Sequence, residues 1–245
     1  MALYQLTIAY DGTEFAGFQR QKHARTVQAE IETALRKIGW IQNTIFAAGR
    51  TDTGVHAEGQ VVTFELEWDH PDEALLRAMN DFLPKDVSVM DAKKAQTGFH
   101  PRHDAKVREY RYQIYLSNTR NPCLERFAWR VWPEVDFAKM NMASEVLKGD
   151  HDFSWIGVPF GMSDLTTRTI DNAYWRTQAE EDRAYFRISA KSFIYHMVRR
   201  LVMITIRIGQ GKLLLDELKD CLNHKRELPA GIAPANGLFL EKIIY

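Results

Sequence analysis

The sequence holds only two cysteines in 245 residues, Cys123 and Cys221, and neither has a CxxC neighbour. That scarcity excludes a disulfide framework and a zinc knuckle. Nor does any apolar run approach the roughly 18 residues that a membrane-spanning helix needs. The opening MALYQLTIAYDGT has no basic stretch ahead of an apolar one and no small-residue cleavage site. The expectation is a soluble protein that stays in a reducing cytoplasm, with no membrane partner. Net charge is missing as well, since 32 Lys and Arg balance 32 Asp and Glu. A chain coated with positive charge for indiscriminate nucleic-acid binding is excluded.

What the chain does have is charge sorted by region. From Glu58 to Asp91 there are nine acids against two bases, whereas Arg183 to Leu215 holds seven Lys or Arg and no acid. Residues 92 to 130 add nine bases against three acids. A molecule with one acidic third and two basic stretches has sides, and one side suits a polyanion.

Hydrophobic periodicity supplies the fold. LYQLTIAY puts Tyr4, Leu6, Ile8 and Tyr10 on one face of a strand over 3 to 10. Thr26 stands as N-cap to a helix carrying Val27, Ile31, Ala34, Leu35 and Ile38, ended by Gly39. TIFAA and VVTFEL read as strands, DEALLRAMNDFL as a helix with an acidic first turn, and VSVMDA as a closing strand. The order is β-α-β-β-α-β, a ferredoxin-like unit.

VREYRYQIYL starts a second round, with Tyr110, Tyr112, Ile114 and Leu116 on one face. A helix around 136 to 147, the hairpin AYWRTQ and AYFRISA, a helix from about 193 to 208 behind Ser192, and GLFLEKIIY complete it. The expected fold class is therefore α+β: two ferredoxin-like βαββαβ units with a joined antiparallel sheet, helices on one face and a central cleft. The subdomains expected are 1–104 and 105–245. Residues 117 to 133 and 149 to 170 read as loops, long enough to be functional.

GRTDTGVHA, residues 49 to 57, falls between the middle strands of the first unit. Gly, Thr and Asp are ordinary turn residues, but a turn needs neither Arg50 nor Asp52. Asp52 could serve as a capping group, a metal ligand, a general base or a nucleophile. No cluster of further ligands accompanies it, so no metal is expected. As a nucleophile or base a carboxylate needs a cation to keep it ionised in a dry site. Arg50 is one candidate. Arg199 is another, at the edge of a helical stripe of Ile194, Met197, Val198, Leu201, Ile204 and Ile208; the plain alternative is that Arg199 and Arg200 are both solvated. In FHPRHDAKVREYRY, aromatics interleave with Arg102, Lys106, Arg108 and Arg111, a mixture that stacks bases and holds phosphates. Tyr112 reads as core, and Tyr110 as core or site. Trp129, Trp132, Phe153, Trp155 and Phe160 are more aromatic surface than one subunit's loops readily bury, which allows an interface between copies.

YDGTEFAGFQRQ, RTVQ, AAGRTDTGVHA, GFHPRHDAKVREYRY, HDFSWIG, RTI, SFIYHMVRRLV and APANGLFLEKIIY, in that order, resemble the successive signatures of the tRNA pseudouridine synthase A family. The blocks span almost the whole chain. Departures are small: Phe18 stands where Trp is expected, and FHPRHDA where FHARFSA-like text is usual. The resemblance implies a cofactor-free isomerisation of uridine to pseudouridine at positions 38, 39 and 40 of the tRNA anticodon arm, by a homodimer, with no DNA partner. It implies Asp52 as catalytic aspartate, Arg50 as its RNA-contacting loop companion, Tyr110 as the active-site tyrosine and Arg199 as the arginine that pairs with the aspartate. Leu238 matches the apolar residue of the uracil pocket. Lys106 and Arg111 are expected to bind substrate on the separate ground of the basic and aromatic mixture at 99 to 112. Two other readings stand beside it: a catalytically silent RNA-binding protein of the same fold, and a carboxylate-based nucleoside hydrolase.

Overall fold

A computed structural model describes residues 1–156, 166–178, 182–224 and 231–245. The chain divides into two compact units, Met1–Lys106 with Phe239–Tyr245, and Val107–Leu238.

In the first unit the order is β1 (Ala2–Tyr10), α1 (Val27–Lys37), β2 (Phe46–Ala47), β3 (His56–Leu66), α2 (Asp72–Phe82) and β4 (Val87–Lys94). The alternation of β1 is borne out, with Tyr4, Leu6, Ile8 and Tyr10 all buried. β1 lies between β4 and β3 and is antiparallel to both. The free edge of β3 is shared. β2 pairs with it at Thr63 and Val62, and the last strand of the chain, Leu238–Ile244, runs parallel to it at His56 and Ala57. β3 is buried almost end to end, on both of its faces, which is why VVTF shows no alternation.

The helix α1 begins where Thr26 predicts it, but the Thr26 side chain makes no cap hydrogen bond. Its interior holds a carboxylate instead of a purely apolar stripe. Glu32, fully buried, accepts from Arg20 at 2.5 Å, from Gln28 at 2.9 Å and from the Ile45 amide at 3.3 Å. A buried charge survives only when its lone pairs are filled in this way. The result ties α1 to the chain just ahead of β2.

The second unit contains β5 (Val107–Leu116), β6 (Trp129–Val131), α3 (Phe137–Val146), β7 (Gly149–Asp152), β8 (Thr167–Gln178), β9 (Arg183–Ala190), α4 (Met197–Gly209) and α5 (Leu215–Leu222). Its strand order is β5-β9-β8-β7, with β6 parallel to β5. The expected hairpin is β8 and β9, antiparallel. Ala173, Trp175, Ala184, Phe186 and Ile188 are buried together with Tyr112 and Ile114 of β5. The mixed α+β class holds. β6 and β7 lie inside the segments read as loops, and α5 adds a helix that the sequence reading did not name.

The fourth helix starts later than expected. His196 is its N-cap in the left-handed region, φ 62°; a turn closed by the Met197 amide on the Ile194 carbonyl at 3.1 Å precedes the helix, which opens at Met197. The expected stripe from Ile194 to Ile208 is buried throughout.

β10 (Leu238–Ile244) follows a 3₁₀ turn at Ala235–Gly237. There the chain runs against β5: the Tyr112 hydroxyl donates to the Pro234 carbonyl at 2.8 Å. A Cβ on Gly237 would stand 2.7 Å from both the Gln113 carbonyl oxygen and the Tyr112 ring. Gly237→Ala is therefore expected to lower stability by about 1–3 kcal/mol, the usual cost of overpacking. An unshifted thermal midpoint contradicts this packing.

Candidate active site

The loop between β2 and β3 is gripped by the segment that follows β1. The Phe18 amide donates to the Thr51 carbonyl at 3.0 Å, and the Gly54 amide to the Phe15 carbonyl at 3.3 Å. The Tyr10 hydroxyl and the Thr51 Oγ1 share a 2.7 Å hydrogen bond. Within the loop the Val55 amide donates to the Asp52 carbonyl at 3.1 Å. Gln60 Nε2 closes the near end on the Gly49 carbonyl at 2.9 Å.

Two glycines allow the backbones to meet. A Cβ on Gly12 would lie 2.0 Å from the Val55 carbonyl oxygen, and one on Gly17, at φ 88°, 2.8 Å from the Thr51 carbonyl oxygen. No side chain fits either gap without moving the loop. Gly12 also donates its amide to His56 Nδ1 at 2.9 Å. Because Nδ1 accepts there, it carries no proton, and the 3.2 Å approach of Asp11 Oδ1 to the same nitrogen is a contact and not a second hydrogen bond. The buried His56 ring stacks on Phe239 at 4.7 Å.

Asp52 rides on this frame. Its neighbours Thr51 and Val55 are buried, Asp52 itself is half-buried, and Arg50 is exposed. A carboxylate on a held backbone, still reachable by a ligand, suits attack or proton transfer better than capping. Lys106 is exposed, its amide bonded to the Ile244 carbonyl at 2.8 Å. Among the described residues no group of three His, Cys, Asp or Glu could hold a metal ion.

The second unit carries the other candidates. Tyr112 is core, as expected, and burial holds its hydroxyl well above the usual phenol range. Tyr110 is half-buried, edge-on to Phe193 with centroids 5.2 Å apart. Arg111, the next residue along β5, projects from the opposite face by strand alternation. In register it faces Arg187 of β9. Tyr110 and Arg111 are thus not brought to one spot. The two arginines lie side by side on that face, with Arg187 against Tyr185 and its guanidinium 3.4 Å from the Tyr174 hydroxyl.

Neither Arg199 nor Arg200 is simply solvated. Arg199 Nε donates to the Ala233 carbonyl at 2.7 Å, while the Ala233 amide donates back to the Arg199 carbonyl at 3.1 Å. Arg200 donates to the Ile156 carbonyl. Leu238 is buried at the start of β10. Tyr10, Gly12, Gly17 and His56 are the residues that sequence reasoning missed as parts of the loop's frame. The only signal was two glycines in YDGTEFAG.

Comparison with known proteins is decisive. The family model described as tRNA pseudouridine synthase matches residues 6–104 and 143–245. The chain belongs to the tRNA pseudouridine synthase family. It is similar along its full length to proteins named tRNA pseudouridine synthase A. That of Limosilactobacillus fermentum is 36% identical, covering 100% of this chain and 96% of the relative. That of Fervidobacterium nodosum is 38% identical with 98% of each covered, and that of Streptococcus uberis 34% with 100% and 99% covered. The protein is accordingly an isomerase of tRNA uridine.

For such a synthase the loop frame has a kinetic consequence. Gly12→Ala must displace the Val55 carbonyl and with it the turn that starts at Asp52. We expect pseudouridine formation to fall about 100-fold, the scale set by a misplacement of about 1 Å, with tRNA affinity nearly unchanged. Full activity in Gly12→Ala shows that the frame does not position the chemistry.

Proposed function

We propose that this synthase modifies uridines 38, 39 and 40 of the tRNA anticodon arm, and that Asp52 is its reacting carboxylate. The observation that carries this is the half-buried Asp52 on a loop whose backbone is held on both sides. The chemistry needs little else. The N1–C1′ bond breaks, the uracil turns while held, the C5–C1′ bond forms, the C5 proton leaves, and N1 takes up a proton. Atoms and electrons balance without an oxidant or reductant. A target base stacked in the anticodon arm must first be flipped out. Asp52 begins the reaction by adding at C6, attacking C1′, or taking the 2′ proton.

The companions follow from the resemblance. Tyr110 stacks on the base and serves in deprotonating C5, Arg199 keeps the aspartate ionised and oriented, Arg50 contacts the RNA, and Leu238 lines the uracil pocket. The fixing of Arg199 by Ala233 supports a positioning part. Lys106 and Arg111 hold phosphates.

We further propose a homodimer working in the cytoplasm. Trp132 and Met142 are exposed by 53% and 56%, which supports an interface. Phe153 is instead fully buried in its own unit, and Phe160 lies outside the described residues. Cys123, exposed and free, suits a reducing compartment.

Asp52→Asn keeps the shape but removes the nucleophile. It is expected to make no pseudouridine while tRNA affinity stays within about tenfold, roughly 1.4 kcal/mol. Turnover near that of the wild type contradicts the assignment, and release of free uracil points to hydrolysis. Transcripts with cytidine at 38, 39 and 40 test the positions: no pseudouridine is expected, and undiminished product contradicts the assignment. Lys106→Ala is expected to weaken tRNA binding and reduce the salt slope by about one unit. An unchanged slope removes Lys106 from the phosphate path.

A further inference from the structure

The first unit carries a row of three rings, exposed at both ends and half-buried in the middle at His100, that nothing in the isomerisation uses. Phe46, on the two-residue strand β2, is 54% exposed. Its ring centroid lies 5.3 Å from that of His100, and His100 lies 4.2 Å from His103. His103 and Arg102 are exposed, as is Lys106 just beyond.

The row is held by the backbone. His100 Nδ1 accepts from the Arg102 amide at 3.1 Å and the His103 amide at 3.4 Å. The Asp104 carboxylate accepts the His100 amide at 2.8 Å, and the Asp104 amide donates to the His100 carbonyl at 3.1 Å. Tyr245 donates its hydroxyl to the Pro101 carbonyl at 2.9 Å. At the other end the buried Glu32 accepts the Ile45 amide and so fixes the residue before Phe46. Burial, and after it the neighbouring His103, lowers the His100 pKa below the ordinary histidine value, and the two amides donated to Nδ1 fix the plane of the middle ring.

Exposed rings in fixed orientation beside cations are the composition of a single-strand nucleic-acid platform. Rings offer stacking to any base, cations hold the phosphates, and prior ordering reduces the entropy lost on binding.

We propose that Phe46, His100 and His103 form a stacking platform for an unpaired base of the tRNA substrate, distinct from the uridine that reacts, with Arg102 and Lys106 at the flanking phosphates. The proposal rests on tRNA being the substrate. It concerns binding and leaves the chemistry to Asp52.

The test compares Phe46→Leu with Phe46→Trp, using a tRNA transcript and reading dissociation constant, KM, kcat and thermal midpoint. Leu keeps apolar cover without a ring, and Trp keeps the ring. The platform predicts that Phe46→Leu weakens binding and raises KM about tenfold, leaves kcat and the salt slope unchanged, and that Phe46→Trp restores affinity. His103→Ala, at an exposed site, should weaken binding in the same direction. Equal affinity of the Leu, Trp and wild-type proteins overturns the proposal. So does a Leu variant that loses kcat alone, which marks a structural effect on the neighbouring loop, and so does a change in oligomeric state, which marks a protein interface. A wild type that binds tRNA without forming pseudouridine refutes the reading of the enzyme, and the affinities still decide the platform.

Discussion

Everything proposed for Asp52 depends on how closely two stretches of backbone approach. Gly12 and Gly17 let the chain after β1 lie directly on Thr51 and Val55, with no side chain in between. The hydrogen bonds at Phe18 and Gly54 then become backbone to backbone. A loop held this way has few rotamers to lose when substrate arrives, so its carboxylate is ordered at little further cost. His56 extends the grip into the sheet, through the Gly12 amide on one side and the Phe239 ring on the other.

Binding and reaction are assigned different physical means. The Asp52 loop relies on rigidity and a single carboxylate. The RNA contacts proposed rely on charge and rings: the arginines in register on β5 and β9, and the row from Phe46 to His103. Such a division suits a substrate much larger than the atoms that change. Phosphate contacts set where the RNA lies, while the reacting group needs only its own alignment. It also suits a chain of zero net charge, because attraction confined to a few surfaces does not bind every polyanion equally.

Much of the fold was legible because periodicity is local. β1 and the stripe of α4 follow directly from the spacing of their apolar residues. The start of α4 was not legible, since nothing in SFIYH announces a left-handed His196. β6 and β7 are three and four residues long, too short for a period to show. A strand's alternation also says nothing about its neighbours, so the parallel pairing of β10 with β3 belongs to the fold and not to GLFLEKIIY. At the site, Asp52 and Arg50 stood out because a turn has no need of them. The frame did not stand out, because its key feature is an absent Cβ. Arg111 and Tyr110 were read as one mixture along the chain, and only the strand's alternation separates them to opposite faces.

A frame of this kind requires the loop to be ordered before RNA binds. Amide hydrogen exchange of the RNA-free protein tests it most directly, at Gly12, Phe18, Gly54 and Val55, whose amides make the bonds that close the frame. The account predicts that all four exchange as slowly as amides in the middle of β1 and β3, opening only with the first unit as a whole. Exchange at the rate of an unstructured peptide, with protection gained only on adding tRNA, would contradict it.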